Sequence, residues 1–198
     1  MKVKNWMAKD LVTVKPNTKL SDAIEIMHKH SIRHLPVIED GEMVGFVTES
    51  NLRQYMIPSA VKEIRMKDVM ILNPITIDAN ASIDSAAKRI YEYKIGGLPV
   101  LDRRKLVGII TTTDILGAFI ELMGLLKESY RLDISLAHGD IDEVLGLIKT
   151  HGGKVISVGV DAKNSRKRLY YIRMEKTELD PIVNAIEELG HKVVSVVG

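Results

Sequence analysis

The apolar pattern opens with a short β-type run at Leu11 to Val14 and then changes period, so that Leu20, Ala23, Ile24 and Met27 share one face of a predicted helix. Ser31 to Val37 breaks that period. Leu35-Pro36-Val37-Ile38 and Met43 to Val47 are two apolar runs around Glu39-Asp40-Gly41-Glu42, a polar, glycine-containing hairpin turn, and a second helix is predicted from Ser50. The same order then returns. Ile75-Thr76-Ile77 predicts a strand, and Ile83, Ala86, Ala87 and Ile90 a helix. Leu98 to Leu101 and Leu106 to Ile110 predict two strands joined by a turn at Asp102 to Lys105, with a helix from about Thr112. Met7, Thr13, Asn17, Ala23, Ile32, Leu35, Pro36, Val37, Val44, Gly45 and Thr48 recur as Met70, Thr76, Asn80, Ala86, Ile95, Leu98, Pro99, Val100, Val107, Gly108 and Thr111, 63 residues on. Such a period marks one β-α-β-β-α unit copied and packed against itself, since a single copy cannot bury its own apolar face. A pair of like units also has clefts between them, where ligands can sit.

The two units leave differently. Ile57 to Lys67, with Pro58 and Ser59, forms the first exit. After the second, Ile115, Leu116, Phe119, Ile120, Leu122, Met123, Leu125 and Leu126 continue a helical pattern toward Lys127. That helix is too apolar to be solvated all round, so it is expected to pack on the repeat pair, on the last domain or on a second copy of the chain. From Tyr130 the vocabulary changes. Leu132 to Leu136 alternates as a half-buried strand, His138-Gly139-Asp140 makes a turn with an acidic helix start, and Ile141, Val144, Leu145 and Ile148 share a helical face ended by Gly152-Gly153. Strands follow at Lys154 to Val160 and Arg168 to Met174, separated by a polar connector at Asp161 to Lys167. A helix from Leu179 to Leu189, with Pro181 early in it, and a strand at Val193 to Val197 complete the order βαββαβ. That order predicts a ferredoxin-like sheet with both helices on one face. The expected fold class is α+β, with repeats at 1–62 and 63–127 and a tail domain at 128–198.

Composition narrows the function classes. A chain of 198 residues that is 45% apolar and 27% charged is ordinary globular material rather than a disordered segment. No stretch approaches the apolar length of a membrane span, and the N-terminal MKVKNWMAKD lacks a signal-peptide core, so a soluble, cytoplasmic protein is expected. The absence of cysteine excludes disulfides, zinc-thiolate sites and a cysteine nucleophile. A net charge of +2, with acids and bases interspersed, speaks against nucleic acid as a partner.

Two motifs recur in both copies at the same separation. Ile32-Arg33-His34-Leu35-Pro36-Val37 with Gly45-Phe46-Val47-Thr48-Glu49-Ser50-Asn51, and Ile95-Gly96-Gly97-Leu98-Pro99-Val100 with Gly108-Ile109-Ile110-Thr111-Thr112-Thr113-Asp114, resemble a tandem of CBS domains over residues 1 to about 125. The tail resembles an ACT domain, on its element order and on Gly139 after the first strand. The combined layout, with Tyr91-Glu92-Tyr93-Lys94-Ile95-Gly96 and the long second exit helix, looks like the acetoin-utilisation protein B type of CBS-ACT protein. The resemblance implies a non-enzymatic regulatory protein with an adenine nucleotide (AMP, ADP or ATP) in the cleft, assembled as a homodimer, with an unidentified protein as a further possible target. Three rivals stand beside it: a partner-binding scaffold with vestigial pockets, a sensor of S-adenosylmethionine or NAD, and a small enzyme acting on the cleft ligand.

Residue by residue, the candidates have two readings each. Thr111 with Asp114 is a capping box by spacing; by resemblance Asp114 would hold a ribose, with Thr111 and Thr113 near a phosphate. The first copy has Asn51 in place of Asp114, after Thr48, and an amide supplies no charge-assisted acceptor, so a weaker or empty first site is expected. Arg33-His34 stands where the second copy has Gly96-Gly97. The first pair is either a cation source for phosphate or a solvated loop, and the second either admits ligand close to the backbone or serves a turn. By resemblance Thr13 and Thr76 line the adenine pocket, with Ile75, Ile77, Leu98 and Pro99 as apolar walls beside Gly97; the apolar four could equally be core. His28 and His30 lie on different helix faces, with His34 nearby and no acidic cluster, and read as surface histidines rather than a metal site. No nucleotide-binding glycine motif or nucleophile elbow occurs. At His138-Gly139-Asp140 the ACT resemblance implies a small-molecule effector, although the proline that often precedes the glycine is missing; a dimer-forming sheet is the other reading. Arg166, Lys167 and Arg168 read as a solvated turn.

Overall fold

The computed structural model describes residues 1–55, 64–161 and 168–198. Most of the first exit and the Arg166-Lys167 pair lie outside the described residues. The chain divides into two compact units, 1–116 and 117–198.

In the first unit, helix α1 (Leu20–Lys29) is followed by a hairpin of β1 (His34–Glu39) and β2 (Glu42–Thr48), a short α2 (Glu49–Leu52) and a 3-10 turn at Arg53–Tyr55. The second copy gives α3 (Met66–Val69), β3 (Ile77–Asp78), α4 (Ile83–Tyr93), the hairpin β4 (Gly97–Asp102) and β5 (Lys105–Thr111), and α5 (Thr112–Leu122). Both hairpins turn through two residues at positive φ: Asp40 and Gly41 in the first, Arg103 and Arg104 in the second. That backbone matches the twist of the flanking strands. The strand expected at Leu11 to Val14 is reduced to one parallel bridge, Val14 to Val37, and its counterpart to the two-residue β3 beside β4. Here the chain touches the sheet edge for one or two residues and then leaves it for the helix.

The copies exchange their first segments. Ala8 bridges Ile109 and Ile71 bridges Phe46, so the approach to each copy pairs with the second hairpin strand of the other. Val3 N–H donates to Ala81 O and Leu20 N–H to Ile64 O, both at 2.9 Å. The core repeats this exchange. Leu20, Ala23, Met27, Leu35, Val37, Val47 and Leu52 of the first copy are buried together with Met66 and Val69 of the second.

The second unit opens with the end of α5, where Gly124 at φ 67 closes the turn after Leu122, earlier than the apolar pattern toward Lys127 implies. Then come β6 (Ser129–Ser135), α6 (Ile141–Thr150), β7 (Val155–Val160), β8 (Leu169–Glu175), α7 (Asp180–Glu188) and β9 (Lys192–Val197). The sheet order is β7-β8-β6-β9, all antiparallel. Leu132, Ile134, Ile172 and Met174 point from its central strands into a core closed by Val144, Ile148, Ile182 and Ile186 of the two helices.

Candidate functional site

Exchange of the approach segments builds two clefts, each from parts of both copies. In the larger, a cavity of about 670 Å³, the second copy supplies Ile71, Pro74, Ile75 and Lys94 to Gly97, and the first copy supplies Phe46, Thr48 to Asn51 and Arg53. In the smaller, about 220 Å³, the first copy supplies Ala8, Asp10 to Val12 and Ser31 to His34, and the second supplies Ile109, Thr111 and Thr113. Ten of the eleven residues that line the smaller cleft have their counterpart 63 residues away in the larger. The linings differ most at one pair of positions. Gly96 and Gly97 in the larger cleft stand where Arg33 and His34 stand in the smaller.

Arg33, His34 and Thr113 line both cavities and form a shared wall. The His34 ring stacks on Phe46, centroids 5.8 Å apart, and its Nε2 would lie 3.1 Å from a Cβ at Gly96 and 3.2 Å from one at Gly97. Those glycines therefore admit the imidazole. Burial holds the His34 pKa below the usual imidazole value, the Arg33 charge pushes it the same way, and Asp114 opposes both.

The two helix starts are capped alike but leave different groups over. Asn51 Oδ1 accepts from Thr48 N–H at 2.6 Å, and its Nδ2 donates to Val69 O at 2.9 Å, so both ends of the amide are engaged by the protein. Asp114 takes Thr111 N–H and the Thr111 hydroxyl on one oxygen, Oδ2, each at 2.7 Å. Its Oδ1 accepts nothing from the described residues. A half-buried carboxylate oxygen at a helix N-terminus is a ready acceptor for a hydroxyl pair; beside it Thr112 gives both its N–H and its hydroxyl to Gly96 O, which leaves the exposed Thr113 as the residue of this first turn available to an anion.

The family model of the CBS domain matches residues 3–58 and 66–121. The chain belongs to the CBS-domain family. The L-aspartate semialdehyde sulfurtransferase of Methanocaldococcus jannaschii is 32% identical over 115 residues, which is 57% of this chain and 22% of that enzyme. The chain thus spans about a fifth of that curated relative's length, and the likeness is confined to that part. Among solved structures, the CBS-domain pair of protein MJ0100, in complex with 5′-methylthioadenosine and S-adenosyl-L-methionine, is 30% identical with a TM-score of 0.56, covering 64% of this chain and 98% of that one. CBSX2 in complex with AMP is 28% identical with a TM-score of 0.53, covering 61% and 96%.

Within the CBS pair, the residues singled out from sequence are divided rather than gathered. Thr48, Asn51, Ile75 and Gly97 line the larger cleft, Thr111 the smaller, and Arg33, His34 and Thr113 both. Asp114 stands behind Thr111 as its capping partner. Ile77, Leu98 and Pro99 are buried in the β3-β4-β5 sheet and line neither cleft, which is the core reading of those three. Thr76 uses its carbonyl to accept from Arg89, and Thr13 borders a separate surface hollow with Lys15, Thr18 and Asp40. Ile71, Pro74, Arg53 and Lys94 were not singled out. The signal for the first two lies in the repeat register, since they stand 63 residues after Ala8 and Leu11. Among the described residues, no helix is long and apolar enough to cross a membrane.

Proposed function

We propose that the CBS pair is a non-enzymatic sensor of an adenine nucleotide, AMP, ADP or ATP, and that it relays occupancy through a homodimer in the cytoplasm. The observation that carries this reading is the unengaged Asp114 carboxylate oxygen at a helix start beside the Arg33 wall. Ribose hydroxyls donate to Asp114 Oδ1, and phosphate is held by Arg33 and the Thr113 hydroxyl, close to Thr111, whose own hydroxyl donates to Asp114 Oδ2 and holds that carboxylate in place. The smaller cleft is narrow, with Arg33 and His34 standing along it. Free acceptor chemistry, rather than cavity volume, therefore ranks this cleft first. The larger cleft offers Arg33, Arg53 and Lys94 to an anion and apolar walls at Ile71, Pro74 and Ile75, but Asn51 is already engaged. It is the second, weaker position.

The division into 1–62, 63–127 and 128–198, with an ACT-like, ferredoxin-type tail, belongs to the same proposal. The sheet order β7-β8-β6-β9 and the helices on one face support it. So does the resemblance to CBS-ACT proteins of the acetoin-utilisation type, in which a small effector would bind near Gly139. Leu116, Leu122, Leu125 and Leu126 are each at least half exposed in the single chain, the condition expected if this stretch meets a second copy. A second reading, a sensor of S-adenosylmethionine, is favoured by the ligands of the MJ0100 pair.

Titration calorimetry with AMP, ADP, ATP, NAD and S-adenosylmethionine, on the parent and on Asp114→Ala, separates these readings. Tight binding of one adenine nucleotide, lost in the variant, is expected. Preference for S-adenosylmethionine moves the protein to the second reading. No binding at millimolar ligand leaves a scaffold, and conversion of bound nucleotide on incubation would make the protein an enzyme.

A further inference from the structure

The second unit holds a side-chain cluster that the nucleotide reading does not use. His138 stands between β6 and α6, Glu143 in the first turn of α6, and His191 between α7 and β9. One ligand atom from each lies within 4.8 Å of the others. His191 is 3% exposed, and its Nε2 is, among the described residues, the one buried side-chain nitrogen or oxygen without a hydrogen-bond partner. A buried polar atom left unpaired is unfavourable unless something outside the protein pairs it. The other ring nitrogen, Nδ1, already faces Ala137 N–H at 3.4 Å, which leaves Nε2 as the atom available to the cluster. The His138 and His191 rings are 4.9 Å apart and tilted by 49°, so they are not stacked flat on each other.

The backbone is shaped to allow this approach. Gly139 and Gly190 both have positive φ. A Cβ at 139 would lie 3.3 Å from Glu143 Oε2, and one at 190 would lie 3.4 Å from His138 Nε2. Asp140, the remaining acid in the turn, is occupied in capping Ile141 N–H at 2.6 Å.

We propose that His138, Glu143 and His191 bind a divalent transition metal of the zinc type, with a fourth position open to water or to an anionic group of a small molecule. Two imidazoles and one carboxylate suit zinc, whereas magnesium and calcium require oxygen donors. Tetrahedral zinc, with ligands about 2.0–2.1 Å from the metal, needs donor atoms about 3.3 Å apart. The exposed His138 and Glu143 side chains close that gap by turning toward the fixed, buried His191. Coordination through Nε2 places the ring proton on Nδ1, so the long 3.4 Å contact with Ala137 N–H is given up in exchange for the metal.

The test uses the full chain, stripped with a chelator and titrated with zinc by calorimetry and with cobalt by visible absorption. One equivalent of zinc per chain, an intense tetrahedral cobalt spectrum, and no response to magnesium are expected. His138→Ala and Glu143→Gln, both at exposed positions, should each weaken zinc by more than about tenfold, the scale of losing even a supporting partner at a metal site. Zinc should raise the thermal midpoint of the parent and leave that of His138→Ala where it was. Absence of saturable zinc binding, or full affinity in the double variant, overturns the proposal and leaves the nucleotide reading untouched.

Discussion

Replacing Asp114 by asparagine separates ligand chemistry from folding. The side chain now accepts two hydrogen bonds from Thr111 on one oxygen. An asparagine keeps that acceptor in its carbonyl and turns its amide nitrogen toward the place where Oδ1 stood. Folding loses only the favourable charge at the start of α5, about 0.3–1 kcal/mol. In a chain of this size that lowers the thermal midpoint by no more than about 4 °C. The first copy shows that an amide fits such a helix start, because Asn51 makes the same cap and donates its spare hydrogen to Val69 O. The loss on the ligand side is larger. A charge-assisted acceptor contributes about 1.5–3 kcal/mol per hydrogen bond against about 0.5–1.5 for a neutral pair, and the amide nitrogen cannot accept at all. A loss of about 1.4–2.8 kcal/mol is therefore expected, a 10- to 100-fold weaker nucleotide. Calorimetric titration beside a thermal melt reads both numbers. A dissociation constant within twofold of the parent's, with the melt intact, would remove Asp114 from ribose contact.

Other consequences can be checked separately. Gly108→Ala would set a Cβ against the Met7 side chain and 2.9 Å from Ala8 O, whereas the three atoms nearest a Cβ at Gly45 all belong to the Met70 side chain. Because backbone cannot yield as a thioether can, denaturant melts should show about 1–3 kcal/mol lost for the first and less for the second, and equal losses would refute the distinction. Leu98→Ala, at a fully buried position, should cost about 2–5 kcal/mol of stability and leave the affinity of the folded fraction unchanged. A selective loss of adenine binding would return Leu98 to the site. For His34 the folded pKa lies below the unfolded one, so acidification protonates the unfolded chain first, and stability falls as pH drops from about 6.5 toward the folded value. Urea midpoints between pH 7.5 and 5.5 should decline less in His34→Phe than in the parent; identical slopes would show that another group carries the effect.

The tandem CBS repeat was legible from the chain because its apolar positions and turn residues are local signals, and the copies corroborate each other. Their exchange was not. Ala8 with Ile109 and Ile71 with Phe46 are single bridges between distant segments, and no periodicity within one copy announces them. For the same reason a reading along one copy sets Asp114 beside Ile75 and Gly97, whereas those two line the larger cleft and the Thr111 bonded to Asp114 lines the smaller. The ambiguity of Leu98 and Pro99 had a different source: a β-strand end beside a cleft and one inside a sheet share the same apolar vocabulary. The cluster at His138, Glu143 and His191 is assembled by β9 returning beside β6, a pairing that residue spacing does not encode.

The crossing of approach segments also sets how the first unit comes apart. Neither copy alone encloses a cleft, because each lacks the segment that its twin provides. A ligand seated there touches both copies and works as a removable rivet, adding stability to their union that grows with the logarithm of its concentration over its dissociation constant. Two separately produced halves should accordingly find each other more readily in the presence of ligand, and a single half could rebuild a cleft only by pairing with its own kind.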